Sequence, residues 1–142
     1  LGKRRKTREY ALQVLYQWEM TGQDVERGLA LLREHLLSAG GEDSFLDRLV
    51  RGVSTHREEI DRLIEGHSEH WRLERMPPVD RNILRIAAFE LLYCEEVPPR
   101  VSVNEAVELA KRFGSEDSPA FVNGILDRIM TEIRKTQALG GK

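Results

Sequence analysis

Two proline pairs, Pro77-Pro78 and Pro98-Pro99, bracket the segment that most restricts what this chain can fold into. A proline ring does not fit a helix interior and pushes the residue before it out of the helical region, so a helix between the pairs must begin and end there. Within it, Ile83, Leu84, Ile86, Ala87, Ala88, Leu91 and Leu92 leave almost no side of a helical wheel polar. A helix that is apolar all round must be enclosed by other elements, so the fold is expected to be built around the helix that Asp80 opens.

The enclosing elements are predicted to be helical too. Apolar residues recur with a period near 3.6 along nearly the whole chain, and no β-branched alternation between turn signals appears. A first helix from about Arg8 to Met20 carries the stripe Ala11, Val14, Leu15 and Trp18, with Gly22 as its stop. A second, capped by Asp24, turns Leu29, Leu32 and Leu36 inward before Gly40-Gly41. A third, capped by Asp43 or Ser44, runs unbroken to Gly66. Residues 67–76 predict a short helical turn anchored by Trp71. Ser102 and Glu105 have capping-box spacing, which starts a helix that buries Val103, Ala106, Val107, Ala110 and Phe113 and ends at a left-handed Gly114. Ser118-Pro119 opens the last helix, whose inner face is Phe121, Val122, Ile125, Leu126, Ile129 and Ile133. The expectation is an all-α protein, a compact bundle of six or seven helices, arranged as two packed three-helix sub-bundles. It is a single domain over residues 1–142, with 1–7 as a basic arm and 136–142 disordered.

Charge is uneven along this frame. The chain holds 22 basic and 24 acidic residues, yet Lys3, Arg4, Arg5, Lys6 and Arg8 face a single acid, Glu9, among the first ten residues. Cations at a helix N-terminus oppose the macrodipole at a cost of roughly 0.3–1 kcal/mol each when exposed. The cluster therefore suits an external anion such as nucleic-acid phosphate, with a solvated, solubilising terminus as the plain alternative. Tyr10 and Tyr16 lie on the adjoining helix, where exposed rings could stack RNA bases or simply bury their faces and wet their hydroxyls.

Other chemistries find little support. Cys94 is the one cysteine, so an intrachain disulfide is impossible and a reducing cytoplasm fits. Glu95 and Glu96 beside it disfavour a thiolate, which makes Cys94 a structural residue. His67 and His70 lack zincin spacing, and no metal or cofactor is expected. Glu58-Glu59 diverge on a helix as a solvated pair, whereas Glu116-Asp117 occupy a tight loop that can fix side chains. Neither a phosphate loop nor a nucleophile triad is present, so no enzyme is expected. Gln13, Gln17 and Glu19 interrupt the stretch that might pass for a signal peptide, and the most apolar window falls well short of the ~20 residues that span a bilayer, so a soluble protein without a membrane partner is expected.

The stretch Val101–Ile129, V-S-V-N-E-A-V-E-L-A-K-R-F-G-S-E-D-S-P-A-F-V-N-G-I-L-D-R-I, closely resembles the C-terminal signature of the bacterial transcription antitermination factor family NusB. R-x-Y-A-L-Q-V-L-Y-Q-W from Arg8 to Trp18 and V-D-R-N-I-L-R-I-A-A-F-E-L from Val79 to Leu91 resemble the same family, in family order and spacing. The resemblance implies a helical RNA-binding protein that engages the boxA element of nascent, ribosomal RNA together with NusE, a ribosomal small-subunit protein, in a transcription elongation complex with other Nus factors. It implies RNA contacts at Lys3, Arg4, Arg5, Lys6, Arg8, Tyr16, Asp117 and Phe121, and NusE contacts at Tyr16, Asp80 and Asp117. It allows a monomer or a homodimer. Phe89 departs from a frequent family tyrosine. A related resemblance, to the RNA-targeting region of RNA cytosine methyltransferases, would need a methyl-donor domain after the last helix. A third alternative is a protein-binding scaffold in which Asp80 and Asp117 meet a basic partner.

Overall fold

The computed structural model describes residues 2–35, 44–69 and 71–140. Among them the chain forms α1 (Gly2–Thr21), α2 (Val25–His35), α3 (Ser44–Thr55), α4 (Arg57–Gly66), a 3-10 turn (Leu73–Arg75), α5 (Pro78–Tyr93), α6 (Pro99–Phe113) and α7 (Ser118–Gly140), with no strand among the described residues. Leu36, Gly40-Gly41, Asp43 and His70 lie outside the described residues.

The proline-bracketed helix is the axis of the fold. α5 packs against α1, α3, α4, α6 and α7, and its stretch from Ile83 to Phe89 is buried throughout. One three-helix group, α1–α3, lies on one side and α5–α7 forms the other, with α4 leaning on α5 and α7. Their apolar side chains merge into one core cluster. Local signals place several ends as anticipated. Asp24 Oδ1 accepts the Glu26 N–H at 3.2 Å, and Gly22 stops α1 at φ +75°, a conformation that only glycine adopts without strain.

Elsewhere tertiary contacts override local signals. The anticipated long third helix breaks at His56 (φ −103°, ψ 23°), where the imidazole stacks 4.4 Å from the Tyr93 ring on α5. α6 begins three residues before Ser102, and no capping box forms. Ser102 Oγ instead donates to Glu90 Oε1 at 2.7 Å, and Glu105 is taken by Arg5. Gly114 is not left-handed (φ −93°); it is small because a Cβ there would come 2.5 Å from Ser118 Oγ and 2.9 Å from the Ala110 carbonyl oxygen. Leu73 and Met76, not Trp71, anchor the 3-10 turn, and Trp71 is 49% exposed. Phe113, expected inside, is 44% exposed. α7 continues as helix to Gly140, through most of the segment expected to be disordered.

Candidate nucleic-acid interface

The basic segment is the first two turns of α1 and not an arm. Lys3, Arg4, Arg5 and Lys6 are exposed, while Arg8 is 3% exposed. The difference follows from helical phase, because residue 8 shares the inward stripe with Ala11, Leu12 and Leu15. A guanidinium there must be paired. Arg8 Nε and Nη2 donate to Glu90 Oε2 and Oε1, each at 2.8 Å, and Ser102 Oγ adds a third bond to that carboxylate. Arg8 thus ties α1 to α5 and α6, away from the solvent that its exposed neighbours reach.

The exposed cations are held with less constraint. Arg5 forks onto Glu105 at 2.9 and 2.8 Å with half its side chain in solvent. That bond, with the charge of Arg5 and then Arg8, holds the Glu105 carboxyl below its usual range against a burial cost. Arg4 lies over the Phe45 ring, 4.1 Å from its centroid, and Lys6 reaches Glu9 at 3.6 Å. An ion pair as solvated as that of Lys6 adds little to stability, so this side chain can exchange a carboxylate for a phosphate, while the Arg5 pair is anchored by a buried carboxylate.

One turn further along α1, Lys6, Tyr10, Gln13, Tyr16 and Gln17 line a groove of about 480 Å³ whose far wall is Val79 and Phe113. Tyr16 is 39% exposed there. Beyond Phe113 runs the Gly114–Asp117 loop, fastened through a buried chain of bonds: Ser118 Oγ accepts the Ser115 N–H at 2.9 Å and donates to Asp80 Oδ1 at 2.7 Å. Asp80, which the resemblance assigns to a partner surface, is 4% exposed and bonded to Ser118. It positions the loop. Burial pushes its carboxyl above the usual range, partly offset by the Ser118 bond. Asp117 is exposed, and its carbonyl accepts the Phe121 N–H at 3.1 Å as α7 begins. Phe121 is half-buried with its ring edge-on to Trp71 at 5.8 Å.

The structure therefore brings Lys6 and Tyr16 to one groove with Phe113, leaves Lys3, Arg4, Arg5 and Asp117 exposed outside its lining, and buries Arg8 and Asp80. Phe113, which helical patterning assigned to a buried face, and Trp71, expected to anchor the turn over residues 67–76, are exposed aromatics, and nothing in their spacing marked them. Cys94 is buried, its thiol pushed up to about 11 chiefly by burial. His67 is engaged by the Leu63 carbonyl and Glu132. No group of side chains able to hold a metal ion is found among the described residues, and no helix among them is long and apolar enough to cross a membrane.

Comparisons with known proteins point one way. A sequence model of the NusB family matches residues 5–131. Transcription antitermination protein NusB of Myxococcus xanthus is 49% identical over 139 residues, which cover 95% of this chain and 99% of that protein. Among solved structures, NusB of T. maritima superposes with a TM-score of 0.83 at 40% identity over 91% of each chain. A chain from the crystal structure of antitermination factors NusB and NusE in complex with dsRNA gives a TM-score of 0.83 at 29% identity, covering 93% of this chain and 98% of that one.

Proposed function

The chain belongs to the NusB family, and on that premise we propose that it is an RNA-binding transcription antitermination factor that engages the boxA element of nascent RNA together with NusE. It works within a transcription elongation complex that carries other Nus factors, in the cytoplasm, as a single domain and without a catalytic step of its own. The observation that carries this reading is that exposed Lys3, Arg4, Arg5 and Lys6 start the same helix whose Lys6, Tyr10 and Tyr16 line the groove. A similar fold occurs in the NusB and NusE complex with dsRNA.

In this reading the four exposed cations take phosphates, which position the strand, while Tyr16 and Phe121 offer faces for unstacked bases. Tyr16 and the Asp117 loop lie where RNA and NusE would meet. Arg8 and Asp80 hold these pieces in place.

Filter binding with NusE present tests the reading. A boxA-like single strand is expected to bind in preference to a scrambled one, with a slope of log affinity against log salt near −3, about four phosphates at roughly 0.7 each. Replacing Lys3, Arg4 and Lys6 together by Gln should flatten the slope. Equal binding of both RNAs would sink the boxA assignment, and an unchanged slope would place the phosphate contacts elsewhere.

A further inference from the structure

We propose that Arg112 and Phe113, at the end of α6, form an additional RNA-contact pair in which the guanidinium takes a phosphate and the ring stacks the adjoining base. The proposal rests on the RNA-binding reading above and extends it to a second helix.

The two side chains are adjacent, with the guanidinium centre 5.4 Å from the Phe113 ring centroid. The Arg112 side chain is 62% exposed, and Nη1 donates to Glu9 Oε2 at 2.9 Å. Glu9 also faces Lys6 at 3.6 Å, so one carboxylate sits between a cation of α1 and a cation of α6. Glu9 lines both the Tyr16 groove and a second groove of about 220 Å³ between α1 and α6, where Arg5 and Arg112 also stand. Arg112 and Phe113 therefore join the two: Arg112 borders the cationic side and Phe113 forms a wall of the aromatic side.

Charge and exposure favour RNA over protein as the occupant. Along the two grooves Arg5, Lys6, Lys111 and Arg112 outnumber Glu9, Glu105 and Glu108 by one, and exposed Lys3 and Arg4 precede them on α1. A basic ribosomal partner would be repelled by that surplus, whereas a polyanion is drawn to it. An exposed phenylalanine gains little for the fold, but every nucleobase has a face that can stack on it. An arginine lying over one face of that ring can reach the phosphate joined to a base stacked on the other.

The test uses the full chain with NusE and a boxA-containing single-stranded RNA over a salt series. Arg112→Gln should reduce the magnitude of the salt slope by roughly 0.7, while Arg112→Lys keeps it. Phe113→Leu should weaken binding roughly five- to a hundredfold without changing the slope. Arg100→Gln, which removes an exposed pair with Asp127 at the other end of α6, should bind as the parent does. Parent-like affinity and slope in both Arg112→Gln and Phe113→Leu, with the unsubstituted protein still selecting boxA, would overturn this proposal and leave the function standing. Loss of NusE binding in the absence of RNA would reassign the pair to protein and overturn it equally. Failure of the unsubstituted protein to select boxA would remove both readings.

Discussion

Two side chains whose charge suggests a surface role, Arg8 and Asp80, are instead buried. Arg8 is enclosed with Glu90, and neither charge has water to fall back on. Removing one partner from a buried pair strands the other, at a cost of about 3–5 kcal/mol. Arg8→Met is expected to lose that much in urea unfolding, and Arg8→Met/Glu90→Leu to recover part of it. If Arg8→Met unfolds like the parent yet loses RNA, Arg8 is a contact after all. Asp80 carries the opposite sign of pH dependence from Glu19, which Arg81 and Arg85 hold below its usual range despite its own burial cost. Glu19 contributes stability that is present above its unfolded value, about 4.3, and is lost as pH falls through its lower folded value. Asp80, raised by burial, favours the fold fully only below its unfolded value, about 3.9, and loses that contribution as pH rises through the folded one. Asp80→Asn keeps an acceptor for Ser118, so it should melt no lower than the parent at pH 7, and any advantage should shrink toward pH 4. A lower melting temperature at pH 7 would show that the carboxylate charge is needed there.

Helix packing depends on a few close approaches. Gly52 in α3 is one, since a Cβ there would come within 2.2 Å of the Phe89 ring. The aromatic that stands where the family often has tyrosine is thus seated directly on a glycine. Gly52→Ala must displace the ring or separate α3 from α5, and overpacking of this kind costs about 1–3 kcal/mol. The loss should appear in thermal melts and be relieved in Gly52→Ala/Phe89→Leu; an alanine variant as stable as the parent would mean the ring moves freely. The element boundaries teach a related lesson. Pro77-Pro78 and Gly22 act through their own backbone and Asp24 through its carboxylate, and these kept their predicted roles, whereas α5 stops at Tyr93, short of Pro98-Pro99, and that pair opens α6. Ser102 and Glu105 had the right spacing for a cap, but Glu90 and Arg5 offered stronger, charge-assisted bonds. The break at His56 has no proline or glycine to announce it and is fixed by packing on Tyr93.

At the scale of the molecule, α5 shares its surface with five helices and all seven helices contribute to one core. Unfolding is therefore expected to be a single transition, with tryptophan fluorescence and far-ultraviolet circular dichroism giving the same midpoint and slope in urea. Separate midpoints would mean the two helical groups are stable alone. The sequence by itself determined the helical class, the buried central helix, the family and the cationic start of α1, because periodicity, proline and local charge act over a few residues. Tertiary structure alone decided which cations stay in water, since Arg5 and Arg8 differ only by helical phase and by what α5 and α6 place opposite them. It also turned Phe113 and Trp71 outward and drew Asp80 in. Such choices depend on residues far apart in the chain, and no local pattern carries them.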